Sequence, residues 1–509
     1  MAHVNNFERD IERRQQRDEI YRRDAVEVYK YDGQTIDLLN KPDDISKFIG
    51  HHLEAQVPRL QMLDDYYQGL NFNIMRNQRR REKHLADNRA AHDFASYITD
   101  FVNGYCFGHA IQVQSDKEMT QDKINELHQL NDIDSHNRSL GLDLSIFGRA
   151  YEYIIRNQED EVRLYKSDPR STFVIYDTSI EQNSLMAVRY WQVDQEDNIN
   201  SDDNSNYIYY VDVITDDATY FYTSHSVTNY ELRERKPPEA HSFGKVTITE
   251  FSNNEKRRGD FEKVIPLIDL YDEAESDTAN YMSDLNDAML LIKGNVDLDE
   301  RVAVLQKEAN VFHLTPPEYT TVDDKVTEGN VDAEYIYKQY DVSGVESYKN
   351  RLSRDIHMLT STPDMTDENF SGTQSGESMK YKLFSLEQRT AIKEGLFRKG
   401  LNRRYKLVGE IMGVNREIDK DNLKSLVFTF TRNLPKSITE EMQMYMSAGG
   451  EISQQTLMSL VSFIDNPQDE VKRIQSEEEE KVKRSDDLMY KNVQNEENNI
   501  EQSTSNIEE

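Results

Sequence analysis

Between Pro266 and Lys293, positions 267, 271, 274, 278, 281, 285, 288 and 292 are Leu, Tyr, Ala, Thr, Tyr, Leu, Ala and Ile. Unbroken four-three spacing with one polar member predicts a single helix with a narrow seam for packing on other helices. At 1.5 Å per residue such a helix is about 40 Å long. Over the same span seven acids (Asp269, Asp272, Glu273, Glu275, Asp277, Asp284 and Asp287) stand against one Lys. Taken alone, the pattern reads as a solvated face beside a core stripe. Seam and acid stripe together also suit one spoke in a ring of helices.

The flanking chain sorts into blocks. Residues 1–44 form a charged arm with little periodicity. Ile45–Gly69 is helical and ends on Tyr66-Tyr67-Gln68-Gly69, where the glycine suits a helix C-terminus. A second helix carries Phe94, Tyr97, Ile98, Phe101, Val102 and Tyr105, followed by a strand at Ile111–Val113 and a helix over Lys123–Phe147. Strand signals follow at Ala150–Arg156, Val162–Tyr165, Thr172–Ile175, Ala187–Val193, Tyr207–Ile214, Thr219–Tyr222 and Val246–Phe251.

Beyond the seam helix, 295–341 is a compact insertion. It has a short helix (Leu298–Ala309), strands at Asn310–Leu314 and around Ala333–Gln339, and Pro316-Pro317 between them. The next helix opens with Ser343-Gly344-Val345-Glu346, a capping-box pattern. Its apolar stripe is Val345, Tyr348, Leu352, Ile356 and Leu359, it carries Lys349, Arg351 and Arg354, and Thr362-Pro363 ends it. Asp364–Gly376 is a polar loop with one aromatic, Phe370. The helix 377–412 then holds nine basic residues against four Glu. A strand at Ser425–Phe430, a helical region over Ile438–Lys483 and a disordered Asn/Glu-rich tail complete the pattern.

Composition narrows the function classes. The 61 Lys plus Arg against 94 Asp plus Glu give a net charge of −33, which argues against gripping duplex DNA through a basic face. Cys106 is the one cysteine, so there is no disulfide framework or Cys-based zinc site, and a reducing cytoplasm fits. No signal peptide, membrane-spanning apolar run, phosphate loop, GxSxG elbow, HExxH or GxGxxG is present. His51-His52 reads as a solvated pair on a polar helix.

Several short strings occur in an order that resembles the portal (head–tail connector) proteins of tailed double-stranded DNA bacteriophages, siphophage type from Gram-positive hosts. They are Tyr66-Tyr67-Gln68-Gly69, Ala86-Asp87-Asn88-Arg89, Gly104-Tyr105-Cys106-Phe107-Gly108, Phe147-Gly148-Arg149-Ala150-Tyr151-Glu152 and Phe243-Gly244. The nearest match is Asp260–Tyr271, continuing through Ser276-Asp277-Thr278-Ala279-Asn280 to Ile292-Lys293-Gly294. The likeness covers about residues 45–435 and departs from it at Ser242 and Thr247, where prolines are expected.

This resemblance implies an α+β portal fold that forms a ring, usually twelvefold. After an N-terminal arm (1–44), a mixed α/β wing would take 45–265 and 377–435, with the long basic helix in the second part. A two-helix stem would take 266–293 and 343–362, and a small α/β clip 294–342. A tunnel loop would take 363–376, an α-helical crown 436–484 and an acidic tail 485–509.

The implied DNA-facing groups are Asp364, Asp367, Glu368, Asn369 and Phe370 of the loop and the stem acids Asp269, Asp272, Glu273, Asp277, Asp284 and Asp287. Stem cations Lys349, Arg351 and Arg354, like those of the long helix, would pair with acids across subunits or make weak phosphate rings. Leu298, Val302, Pro316, Pro317, Tyr335 and Tyr337 would serve clip docking.

Implied partners are further copies of the chain, double-stranded DNA, the terminase large subunit, head-completion adaptors, and major capsid and scaffolding proteins. There is no membrane partner, cofactor, metal or catalytic residue. The implied location is the virion's portal vertex, after assembly in the host cytoplasm. A structural capsid or adaptor component without a channel, and a metal-dependent nuclease, remain the competing readings.

Overall fold

The computed structural model describes residues 22–75, 86–194, 207–224, 231–284, 341–365, 383–414 and 425–433. It also describes the shorter stretches 289–293, 318–320, 326–328, 332–336, 422–423, 453–459 and 470–484, with a few isolated residues. The chain divides into two units, Met1–Gly372 with Lys382–Phe430, and Thr373–Tyr381 with Thr431–Glu509.

The first unit is built on strands whose alternation is visible in sequence. β1 (Tyr29–Tyr31), β5 (Thr172–Asp177), β6 (Ser184–Asp194), β7 (Tyr207–Ile214), β8 (Ala218–Ser224) and β9 (Arg233–Ala240) lie in that order in one sheet. Phe173, Ile175, Met186, Val188, Val211 and Val213 point to one face, onto α2 (Pro42–His51), through Ile45 and Ile49. Their neighbours Val174, Ala187 and Ile214 point to the other face. There they meet a second sheet of β10 (Ile248–Ser252), β3 (Arg149–Arg156) and β4 (Val162–Ser167), through Tyr151, Val246 and Ile248. Period-two alternation thus serves two apolar interfaces at once.

Three elements escaped the sequence pattern. The stretch from Tyr29 is no arm: β1 pairs in parallel with β5, and α1 (Thr35–Leu39) packs Leu38 into the same core. β9 has no apolar alternation, because all eight residues are exposed. It is held instead by Arg235, 4.1 Å over the Tyr210 ring, and Lys236, 3.7 Å over Phe221. Pro237 and Pro238 are tolerated because this is an edge strand.

Helices cover the second sheet. α3 (Val57–Tyr67) ends on Gly69 at φ 75°, as expected, and α5 (Phe94–Phe107) buries Ile98, Val102 and Cys106. The expected helix 123–147 is two, α6 (Glu118–Asn131) and α7 (Ile133–Phe147), broken at Asp132 with φ 44°. Gly148 follows at φ 81°, and a Cβ there would lie 2.2 Å from the Arg257 carbonyl. Only glycine fits, which accounts for its place in the Phe147–Glu152 string. His52 is buried, not solvated: its Nδ1 meets the Tyr190 hydroxyl at 2.6 Å, and burial lowers its pKa to about 3.

The basic helix, α10 (Phe384–Val414), is fixed in part by ion pairs within the chain. Arg404 makes a bidentate pair with Glu152 at 2.7 and 2.9 Å, both fully buried, and His136 holds the same carboxylate at 2.8 Å. Burial alone would raise the Glu152 pKa; Arg404 and His136 bring it below the ordinary value. Lys393 lies 2.8 Å and Arg389 3.3 Å from Asp260, and burial opposes but does not prevent its fall to about 2. Arg59 pairs with Glu262 at 2.6 Å just before the seam helix.

In the second unit, the region of the expected crown has helices at α11 (Gln454–Ser459) and 470–484.

Removing one member of a fully buried pair strands the other. Arg404→Ala is therefore expected to cost about 3–5 kcal/mol of unfolding free energy by denaturant titration. An Arg404→Ala protein as stable as wild type would refute the anchoring role.

Candidate functional site

The seam helix, α8 (Ile265–Asp284), is shorter than its periodicity implied, about 30 Å at 1.5 Å per residue. Met289–Lys293 is a strand, β11, antiparallel to β14 (Asp332–Ile336). Met-Leu-Leu-Ile is a continuous apolar run, and its agreement with helical spacing is coincidental. These residues open the 295–341 insertion, which also holds a hairpin of β12 (Glu318–Thr320) and β13 (Val326–Glu328). In it Tyr335 pairs with Leu290; Leu298, Val302, Pro316, Pro317 and Tyr337 lie outside the described residues.

The buried face of α8 changes character along its length. Ile265 and Ile268 join an apolar cluster with Leu60, Leu63, Ile98 and Phe261, but over the next three turns the buried residues are Asp269, Asp272, Ser276 and Asn280. Tyr66 donates to Asp269 at 2.5 Å, and Asn73 also donates to it. Burial and that carboxylate push the Tyr66 phenol far above its ordinary range, so it remains a donor. Asn71 Nδ2 donates to Asp272 at 2.6 Å.

The segment 88–92 then runs along the helix as a ladder. Backbone N–H groups of Asn88, Ala90 and His92 donate to Asn280 Oδ1 (2.6 Å), Ser276 Oγ (3.0 Å) and Asp272 Oδ1 (2.9 Å). Two residues of extended chain advance about 6.6 Å and four residues of helix about 6 Å, so alternate donors meet every fourth side chain. Asn88 Nδ2 adds bonds to the Ala279 carbonyl (3.2 Å) and Ser283 Oγ (2.8 Å).

Asp269 and Asp272 are therefore internal acceptors, not members of an exposed stripe. Glu273 and Asp277 are exposed; the side chains of Asp284 and Asp287 lie outside the description.

The partner helix, α9 (Val342–Thr360), starts one residue before the expected capping box, with Asp341 accepting from the Gly344 N–H at 3.0 Å. It packs on α8, where Ile356 joins the cluster of Ile265 and Ile268, and Leu352 is buried as well. Lys349 is buried too, 3.0 Å from Glu275 and 2.6 Å from Glu346, so it pairs within the subunit, leaving Arg351 and Arg354 exposed.

The feet of the polar loop are tied down. Tyr97 OH donates to the Pro363 carbonyl (2.6 Å), Ser361 Oγ meets Ser385 Oγ (2.8 Å), and Arg389 donates to the Thr360 carbonyl (2.5 Å). Asp364 is half-buried beside these contacts; Asp367, Glu368, Asn369 and Phe370 lie outside the described residues.

Sequence reasoning passed over Tyr66, Asn71, Asn88, His92, Ser276 and Asn280 as site residues. Four of these (Tyr66, Asn88, Ser276 and Asn280) stand in the strings that carried the resemblance, and the ladder explains why those strings occur together.

The fold is a mixed helix-and-strand one with two long paired helices separated by a small strand module. The chain matches the family described as "Phage portal protein, SPP1 Gp6-like" over residues 46–484, and it belongs to that family. The portal protein of Bacillus phage SPP1 is 23% identical over 402 residues, covering 77% of this chain and 76% of that protein. The portal protein of Clostridium phage phiCD119 is 22% identical over 407 residues, with 77% and 85% covered. A solved structure titled "Neck of empty GTA particle computed with C6 symmetry" aligns over 72% of this chain and 88% of that one, with TM-score 0.37 and 11% identity.

Asp272→Ala leaves the donors of Asn71 and His92 without their acceptor, and is expected to cost about 2–4 kcal/mol in chemical denaturation. Asp272→Asn, which keeps one acceptor oxygen, should cost less. A second expectation concerns pH. The hydrogen bond to Asp272 raises the His92 pKa above 6.5, opposed by burial and by Lys349 and aided by Glu275. A raised folded-state pKa adds stability fully below pH 6.5 that is lost as pH climbs through the raised value. Wild-type protein should lose stability across that window faster than His92→Gln; parallel profiles would contradict the assignment.

Proposed function

We propose that this chain is the portal subunit of a tailed-phage virion. It forms a non-enzymatic ring, about twelvefold, at one capsid vertex, through which double-stranded DNA is packaged and later released. The observation that carries the reading is the family match over 46–484, which includes both long helices, the strand module between them and the loop that follows α9. On this reading α8 and α9 are the stem, 294–342 the clip that docks the terminase motor and then adaptor proteins, 363–376 the tunnel loop and 436–484 the crown. The sheets and α10 form the wing, which meets capsid and scaffolding proteins.

The surface chemistry supports a ring. Leu270, Met282, Tyr348 and Leu359 on the two stem helices are 42–56% exposed in the single subunit. Large apolar side chains on a charged helix pair call for cover, and neighbouring copies supply it. The charge supports a conduit. Each cation placed on a phosphate releases counterions and adds affinity, so a channel lined with them would brake the duplex. Here Lys349 is neutralised internally, as are Lys393, Arg389 and Arg404 of the wing helix, while Glu273 and Asp277 are outward. Twelve copies of a −33 chain carry roughly −400, a field that repels and centres DNA.

Two measurements check this. Negative-stain imaging of the purified chain should show closed rings of about a dozen subunits around a central hole. A monomeric particle would reject the reading. Shortening 364–375 should leave those rings intact, since the loop's feet are fixed by Tyr97, Ser385 and Arg389, yet impair packaging or DNA retention. Normal packaging and retention by the shortened protein would remove the loop from the account.

A further inference from the structure

The C-terminus of α9 is closed by two hydrogen bonds. Thr362 N–H donates to the His357 carbonyl at 3.1 Å and Ser361 N–H to the Met358 carbonyl at 3.3 Å, with Ser361 at φ 60°. This is the Schellman form of helix end, built on a serine in place of the usual glycine. The His357 ring lies against α5. It stands edge-on to Phe94, with centroids 6.0 Å apart, and to Tyr97 at 5.6 Å, and Tyr97 OH in turn donates to the Pro363 carbonyl. Phe94 also faces His92, with centroids 6.3 Å apart, and His92 Nδ1 meets Asp272 at 2.9 Å. Two histidines therefore flank one phenylalanine in unlike surroundings. His92 has a carboxylate on a ring nitrogen, whereas His357 Nδ1 is buried with no hydrogen-bond partner among the described residues.

We propose that the joint at 357–363 is acid-sensitive: a proton on His357 loosens it, while a proton on His92 tightens the hold on α8. This goes beyond the channel reading and does not depend on it. An imidazolium carries an N–H on both ring nitrogens, and a buried donor without an acceptor costs about 1–3 kcal/mol. Neutral His357 can leave Nδ1 bare; the charged ring cannot. The titratable and charged groups facing His357 are Asp364 from the chain beyond α9 and Tyr97 from α5. Burial outweighs Asp364 and the Thr362 backbone, and holds the His357 pKa below 6.5. Those facing His92 are Asp272, Glu275 and Tyr271 of α8 and Lys349 of α9, and the bond to Asp272 lifts its pKa above 6.5. When the joint opens, His357 meets water and titrates near its ordinary value of about 6.5. The open form then takes up the proton first, so the closed form loses ground as pH falls from 6.5 toward the lowered value. His92 has the reverse sign, and its contribution is fully present over the same range.

Hydrogen–deuterium exchange of the full chain at about pH 5 and about pH 7.5, corrected for intrinsic rates, reads both histidines. Opening at the Ser361 and Thr362 amides should rise about threefold or more at the acid pH, while the Asn88, Ala90 and His92 amides stay as protected as before. His357→Phe keeps an aromatic ring and removes the titration, so opening at 361–362 should be the same at both pH values. His357→Gln, also untitratable, should agree with it. Tyr97→Phe removes the contact to Pro363 and should raise opening at both pH values. Equal opening of the wild-type joint at the two pH values overturns the proposal, and so does an acid-induced rise that persists in both His357 variants. Loss of the 88–92 amides together with 361–362 also overturns it, because that is unfolding of the whole and not of the joint.

Discussion

A carboxylate buried on a helix survives only where donors fixed by the rest of the fold meet it. Asp272 is fully buried, and it receives Asn71, the His92 backbone and the His92 ring, which come from a stretch about 180–200 residues earlier. The position of α8 therefore depends on Tyr66, Asn71 and His92 meeting it. Asn88 on Asn280 and Ala90 on Ser276 extend the same dependence along the helix. An apolar interface tolerates sliding; a ladder of donors and acceptors has one register, because a slip would leave several buried groups unpaired.

The same rule governs the long basic helix. Asp260 and Glu262, immediately before α8, hold Lys393 and Arg59, while Glu152 holds Arg404. α8, the second sheet and α10 thus share one electrostatic scaffold, in which buried charges set position more than they add stability. Lys393, Arg59 and Arg404 are neutralised in doing so. The charge the surface presents is what remains outside, and the total of −33 hides that division.

Much of the fold was legible, and the failures have physical causes. Strands buried on both faces, such as β6 and β7, kept enough β-branched and aromatic residues to be read to within a few positions. β9 was invisible because cation–π contacts, not alternation, hold it. The end of α8 was missed because an apolar strand continued its period by chance. Within the site, the acids were found but their direction was not. Hydropathy places Asp on solvent, and nothing local signals that Tyr66, Asn71 and His92 will arrive to meet Asp269 and Asp272. The resemblance strings held part of that information, as residues whose reason for being there was invisible without contacts.

The account's central claim is that this ladder, and not an apolar seam alone, fixes α8 to the body of the fold. Hydrogen–deuterium exchange of the full chain tests it most directly. The segment 86–93 has no helix or strand of its own, so its amides would ordinarily exchange quickly. The ladder predicts slow exchange at Asn88, Ala90 and His92, lost together in Asp272→Ala. Fast exchange of these amides in the wild-type protein would contradict it.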